Sequence, residues 1–271
     1  MTPYACGRVV KMGSEDRYAK TLRQQRILAE LSATPTLRMN ELAMALGVST
    51  ETIRRDLRDL DFRGLVSRTY GSAVRSFVNE PAIAERRRLM ITEREAIAAA
   101  VSATIRPGEV LMFGAGATTL HVANKIDKDH NDLTIITHAI DIIVALGVNE
   151  SLTVICTPGR FDQREGHVIG QDTVDVLRFY QADRAILGAS GITDQGFSNA
   201  EAQAASVYTA TMQRSRATTI VADRQKFGVR ALRNYGTWGP SVTLATDTLP
   251  DPALTDAVRN AGASILIATG W

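Results

Sequence analysis

The sequence predicts an α/β protein in two parts: an N-terminal winged helix-turn-helix domain, then a mainly parallel, doubly wound α/β domain. Three observations predict it. Residues 40–63, NELAMALGVSTETIRRDLRDLDFR, carry two runs of helical periodicity on either side of a glycine. From residue 110 onwards seven short apolar, strand-like runs recur, most of them separated by helical patterns. The charge is also divided, with 16 Lys and Arg against 10 Asp and Glu in residues 1–90, and 15 against 19 in residues 91–271. At 271 residues the chain has room for two cores.

Residues 1–18 show no periodicity and read as a flexible arm, or as an extended start ahead of an alternative initiator at Met12. The first domain is expected over residues 19–76. An amphipathic helix begins near Lys20 and turns Leu22, Ile27, Leu28 and Leu31 inward until Pro35 breaks it. TLRM, residues 36–39, is extended enough for a short strand. Leu42, Ala43 and Leu46 then mark a short helix that ends at Gly47, a residue that tolerates positive φ. Ser49 supplies a capping oxygen to the next helix, whose buried stripe is Ile53, Leu57 and Leu60. Gly64 stops that helix. Leu65, Val66 and Thr69 suit one strand of a narrow hairpin, with Gly71 and Ser72 at its turn. Three helices followed by a hairpin make a winged helix.

The second helix of the motif shows what the fold is for. Ser49 and Thr50 start it, and Thr52, Arg54, Arg55 and Arg58 lie off its buried stripe. In DNA-binding proteins of this type, residues at the start of that helix reach base edges while basic residues grip phosphates. A basic first part ahead of an acidic remainder suits a polyanion that meets only the first part. Arg68 and Arg75 on the wing are candidates for phosphate contacts, or plain solvated arginines. The alternative for the motif is an ordinary helical hairpin whose solvated face carries Asp56, Asp59 and Asp61.

LRQQRILAEL followed by ELAMALGVSTETIRRDLRDLDFRGLVSRTYGSA resembles the N-terminal domain of the DeoR family of bacterial sugar-metabolism repressors. The element VSxxTIRRDLxxLxxxGxxxR runs without a gap from Val48 to Arg68. Tyr70 stands where the family commonly has a histidine, and Ser72 where the wing usually has a second glycine; both bear only on the wing's contacts.

Residues 77–91 read as a linker. Its EPAIAER resembles the family's linker, and Arg86, Arg87 and Arg88 are expected to be solvated. Thr92 opens TERE, a capping box in which Glu95 reaches back to the Thr92 amide, and Ala96, Ile97, Ala100, Val101 and Ile105 carry the helix that follows. The strand-like runs come next: 110–113, 133–137, 152–156, 185–189, 218–222, 242–246 and 264–268. Near-continuous apolar strands with intervening helices argue for a parallel sheet covered on both faces, whose ligands bind beyond the C-terminal strand ends.

The loops at those ends are the candidate site. Gly114, Ala115, Gly116, Ala117, Thr118 and Thr119 follow the first strand and lead into a helix, where backbone amides and hydroxyls hold an anion such as phosphate. Thr137 ends the second and His138 follows it, Gly159 and Arg160 follow the third, Ser190 the fourth, and Asp223 and Lys226 the fifth. Amides, hydroxyls, a carboxylate and cations at one sheet edge suit a phosphorylated polyol. The alternative gives the glycines to tight turns and makes Asp223 and Lys226 a local ion pair.

GATTL, IITHAIDI, TPGRF, LGASGITDQGFSNAE and VADRQKFG resemble successive landmarks of the DeoR family's C-terminal effector domain, which is similar in fold to ribose-5-phosphate isomerase and coenzyme A transferases. The resemblance implies an effector-sensing and oligomerisation domain over residues 92–271. It also implies double-stranded operator DNA and a small phosphorylated sugar as partners, a homodimer or homotetramer, and repression. Gly114 replaces a frequent aspartate, His138 a usual asparagine, and Thr209 a lysine ahead of the methionine corresponding to Met212, which implies an atypical effector. The other reading is a sugar-phosphate isomerase or transferase with a DNA-binding appendage, for which Asp223 and Lys226 are the one suggestively spaced ionisable pair. No nucleophile elbow, Walker loop or metal-spaced histidine cluster occurs, and no cofactor is expected. Cys6 and Cys156 are not expected to pair, and no apolar run reaches membrane-helix length or resembles a signal peptide, so a cytoplasmic protein is expected.

Overall fold

The computed structural model describes residues 20, 22–24, 26, 27, 30, 36–62, 66–69, 72–75 and 81–268. The arm at 1–18, the stop at Gly64, the turn at Tyr70 and Gly71, and residues 77–80 of the linker lie outside the described residues. The chain divides into two compact units, residues 1–79 and 80–271.

In the first unit, the described residues between 20 and 30 are helical and form α1. They are followed by β1 (Thr36–Arg38), α2 (Met39–Leu46), α3 (Thr50–Phe62), β2 (Val66–Thr69) and β3 (Ser72–Arg75). The strands form an antiparallel sheet in the order β1-β3-β2. Ile27, Leu42, Ala43, Ile53, Leu57 and Leu60 make one small core, so the α2 and α3 stripes meet as their spacing requires. Leu28 and Leu31 lie outside the described residues. Leu22 is not inward: it is 45% exposed, while Gln24 is buried and reaches Asp56. Asp56 is itself buried against Arg23 (2.5 Å), which ties α3 to α1 instead of adding to a solvated face. Asp59 pairs with Lys20 but stays half-exposed, and the side chain of Asp61 is not among those described.

The second unit is built on seven parallel strands: β4 (Val110–Phe113), β5 (Leu133–Thr137), β6 (Leu152–Cys156), β9 (Ala182–Gly188), β12 (Ser215–Val221), β14 (Val242–Thr246) and β15 (Ser264–Ile267). Their order is β15-β14-β12-β9-β4-β5-β6. Alternate residues along each strand go to opposite cores. Leu111 and Phe113 face one core and Met112 the other; Ile186 faces the first, Ala185 and Leu187 the second. The first core lies under α5 (Ile91–Ser102), α6 (Ala117–Asp129) and α7 (Ile140–Leu146). The second lies under α8 (Gln171–Leu177), α9 (Ala202–Gln213) and α10 (Pro252–Asn260).

The spacing of apolar runs did not reveal two small antiparallel additions. β7 (Arg160–Asp162) pairs with β8 (His167–Ile169), and β10 (Gly191–Thr193), β11 (Gly196–Asn199) and β13 (Arg233–Gly236) form a three-stranded sheet.

The start of this unit differs from the expected capping box. α5 begins at Ile91 with Met90 as N-cap, in the left-handed region at φ 52°, and no side chain caps it. Thr92 is therefore already inside the helix, where its hydroxyl cannot serve as the N-cap oxygen. The turn before it is held by the buried Arg94, which donates to the carbonyls of Arg86 (2.5 Å) and Leu89 (2.7 Å). Nor is the preceding segment simply solvated. α4 (Ile83–Arg86) buries Ile83 and Arg86 pairs with Glu165, while Arg87 and Arg88 are exposed as expected, Arg87 also pairing with Asp141 (2.5 Å). Among the described residues no helix is long and apolar enough to cross a membrane.

Candidate nucleic-acid interface and effector site

The turn between α2 and α3 is closed by two reverse hydrogen bonds. Gly47, at φ 63°, donates to Met44 (3.3 Å), and Val48 donates to Ala43 (3.1 Å), the pairing that terminates a helix on a left-handed residue. Ser49 Oγ accepts from the Thr52 amide (3.1 Å) and lies 2.9 Å from the Thr52 hydroxyl, so both side chains are engaged in starting α3. Thr50, Arg54, Arg55 and Arg58 are exposed, and Thr52 is half-buried. Glu51 holds Arg54 at 2.5 Å and Arg55 at 3.4 Å. These pairs are solvated and weak, and a phosphate is a ready competitor for either guanidinium. The backbone of Arg68 lies opposite Ala73 and that of Arg75 opposite Val66, on neighbouring wing strands; their side chains are not among those described.

In the second unit the chain runs outward through β4, β5 and β6, then returns to β9 on the other side of β4. The sheet therefore switches direction between β4 and β9, and a crevice beyond the C-terminal ends at such a point is the usual ligand site of an open parallel sheet. Gly114, Ala115 and Gly116 leave β4 there, beside Gly188, where β9 ends. Gly116 adopts φ 146° as N-cap of α6, and the Thr119 hydroxyl donates to its carbonyl (2.9 Å). Ala117, Thr118 and Thr119 are buried in the first turn.

Several of the residues expected to touch a ligand carry structural hydrogen bonds. The Thr137 hydroxyl donates to Phe113 O (3.0 Å) and accepts from the Ala139 amide (3.1 Å). His138 is fully buried, and both its nitrogens meet backbone: Nδ1 donates to Val168 O (2.8 Å) and Nε2 accepts from the Ala115 amide (3.3 Å). Burial, followed by the neighbouring His167, pushes its pKa down to about 3, so the ring is neutral. Ser190 Oγ accepts from the Ala200 amide (3.1 Å). At Gly159, φ 146° and the close Thr173 hydroxyl leave no room for a side chain. Arg160 is exposed and donates to Gln203 on α9 (3.0 Å).

Asp223 is brought to a different partner from the one its spacing suggested. It has no exposure and its ion pair is with Arg94 of α5, at 3.3 Å, while its other oxygen caps the turn Arg224–Lys226 by accepting from the Gln225 amide (3.1 Å). Lys226 is half-buried in that turn.

Four residues at this mouth had no signal in sequence spacing. Tyr208, on α9, donates to Ala115 O (2.5 Å), and a Cβ built on Gly114 would meet its ring at 3.0 Å. Tyr208 thus fills the space that a side chain at position 114 would need. Tyr235 donates to Gly188 O (2.5 Å) and packs edge-on against Tyr208. His167 stacks on His138 with centroids 5.2 Å apart, and its Nε2 lies 3.2 Å from Glu201 Oε2. Among the described residues no three His, Cys, Asp or Glu are grouped to hold a metal ion. A separate polar cavity of about 350 Å³, lined by residues including Asp183, Arg214 and Arg216, opens at the N-terminal ends of β9 and β12, away from this mouth.

Two family models match the chain: a DeoR-like helix-turn-helix domain over residues 23–76 and a DeoR C-terminal sensor domain over residues 90–248. The glycerol-3-phosphate regulon repressor of Escherichia coli K12 is 34% identical over 214 residues, covering 78% of this chain and 84% of its own. The HTH-type transcriptional repressor CsqR of the same organism is 29% identical over 247 residues, covering 90% of this chain and 94% of its own. A ribose 5-phosphate isomerase of Methanocaldococcus jannaschii superposes on 49% of this chain and 53% of its own with a TM-score of 0.37 and 13% identity, too loose a likeness to argue from.

Proposed function

The chain belongs to the DeoR family, a regulator rather than an enzyme, and on that premise we propose that it represses a sugar-related operon and leaves its operator on binding a phosphorylated sugar. The observation that carries the reading is α3: a capped recognition helix that presents Thr50, Arg54, Arg55 and Arg58 to solvent inside a winged helix. Thr50 and Thr52 are assigned to base edges, and the arginines, with Arg68 of the wing, to bases or phosphates. Residues 19–76 make the operator-binding domain, 77–91 the linker and 92–271 the sensor.

The effector is assigned to the crevice at the β4–β9 switch, with the amides that start α6 facing its phosphate. The name of the glycerol-3-phosphate regulon repressor, a relative over most of the chain, supports a phosphorylated polyol. Induction requires that this ligand bind the DNA-free form more tightly, because equal affinity for both forms shifts nothing. The protein binds repeated half-sites as a symmetric homodimer or homotetramer.

The test is binding of the purified protein to DNA from upstream of its own operon, at one fixed salt concentration. Pentose and hexose phosphates, glycerol 3-phosphate and the unphosphorylated parent compounds are then titrated in. Release by a phosphorylated compound and not by its parent is the expected result. Specific binding that no member of the panel relieves removes the sugar-phosphate assignment, and absence of specific binding removes operator recognition.

A further inference from the structure

Five buried side-chain polar atoms among the described residues have no hydrogen-bond partner: Arg86 Nε, Arg94 Nε, Glu109 Oε2, Thr157 Oγ1 and His167 Nδ1. The first two belong to arginines already held by carbonyls or a carboxylate, and Glu109 lies just before β4, at the opposite end of the sheet, beside Arg184. The remaining two share the C-terminal edge. Thr157 directly follows β6, and β6 pairs with β5 through Thr137 and Cys156. His167 bridges to Ala139, just past the end of β5. Both are nearly inaccessible, at 1% and 3% exposure.

The polarity of His167 Nδ1 follows from its neighbours. An ionised carboxylate only accepts hydrogen bonds, so with Glu201 at 3.2 Å the neutral ring carries its hydrogen on Nε2 and a lone pair on Nδ1. The ring is fixed in place. It stacks on His138 at an interplanar angle of 29°, its residue pairs with Asp162 across β7–β8, and its carboxylate partner is the N-cap residue of α9. A buried, fixed acceptor left unsatisfied is costly unless a ligand supplies the missing donor.

We propose that His167 Nδ1, oriented by Glu201 and with the Thr157 hydroxyl as a second point, reads a hydroxyl group of a polyhydroxylated effector. The inference rests on the sugar-phosphate reading and deepens it. A phosphate oxygen is an acceptor and cannot satisfy a lone pair, so this side of the crevice selects the carbohydrate part of the ligand while the α6 amides take its charge. Glu201 is a positioning residue: it fixes the tautomer and need not touch the ligand. His138, with both nitrogens spent on backbone, is the platform against which His167 stacks.

The experiment uses the full chain labelled with ¹⁵N at histidine, which gives a tractable spectrum because there are four histidines. Calorimetry and spectra are recorded with glycerol 3-phosphate, ribose 5-phosphate, 2-deoxyribose 5-phosphate, glucose 6-phosphate, 2-deoxyglucose 6-phosphate and fructose 1-phosphate. The free protein is expected to show His167 with an unprotonated Nδ1, whose resonance moves when a binding member of the panel saturates the site. His167→Phe keeps an aromatic ring against His138 and is expected to weaken that ligand about tenfold, the value of one hydrogen bond. A ligand lacking the hydroxyl that is read should bind the wild type and the variant alike. Thr157→Val, close to isosteric, is expected to weaken binding in the same direction. Glu201→Gln can present a donor to Nε2 and should move the hydrogen to Nδ1, which the same spectrum records. A protonated Nδ1 in the free protein, or binding indifferent to His167→Phe with an unmoved resonance, overturns the inference alone. Failure of every compound to bind the wild type overturns it together with the sugar-phosphate reading.

Discussion

His138 reaches no ligand through its nitrogens, yet it makes the sensor unit sensitive to acid. Its pKa is about 3 in the folded protein against an ordinary 6.5, so over that interval the unfolded chain holds a proton that the folded chain refuses. The associated stability is complete above pH 6.5 and is lost as pH falls towards 3, at up to about 1.4 kcal/mol per pH unit. His138→Asn removes the titrating group and is expected to flatten this slope in urea-unfolding curves recorded at several pH values. Gly114 shows the reverse dependence, of a residue on its neighbours. A Cβ there would stand 2.9 Å from Leu187 Cδ2 and 3.0 Å from the Tyr208 ring. Gly114→Asp is therefore expected to cost about 1–3 kcal/mol by overpacking, and Tyr208→Val to recover part of that in the double variant, as measured by chemical denaturation. A side chain at position 114 and the tyrosine ring on α9 compete for one volume.

At the scale of elements, the seven parallel strands were legible because a strand buried on both faces reads as a continuous apolar run. The antiparallel ribbons were not: β7, β8, β10, β11 and β13 are three or four residues each, with mixed polarity and no period to count. Local signals also failed where tertiary packing overrode them. Leu22 fits a helical stripe yet faces outward, and TERE has the spacing of a capping box but lies one residue inside α5. The candidate site was half legible for the same reason. Glycines and hydroxyls after strands could be found by position, whereas His167 with Glu201 and Arg94 with Asp223 are joined only by topology, 34 and 129 residues apart. The second of these ties α5 to the turn after β12. Arg94→Ala would strand a carboxylate of zero exposure and release the carbonyls of Arg86 and Leu89. The expected loss is about 3–5 kcal/mol in the stability of the sensor unit, seen as a lower urea midpoint.

At the scale of the whole molecule, each unit has its own apolar core, the small one among α1, α2 and α3 and the two layers flanking the seven-stranded sheet. Calorimetry of the full chain is therefore expected to show two transitions, and a bound sugar phosphate to raise only that of residues 80–271, by mass action on the form that binds it. A shift of both transitions together would show the units to be energetically one. The order of strands has a further consequence, for the chain as it is made. β4 lies inside the sheet, next to its central strand β9, but β9 ends only at Gly188. At ribosomal speeds of ~5–20 residues per second, β4 waits roughly 4–15 s with that edge open after it has been synthesised. The wing is already complete by then. A nascent chain thus gains the means to grip an operator before it has a sensor that could release it, and during that interval its most exposed liability is an unpaired apolar strand.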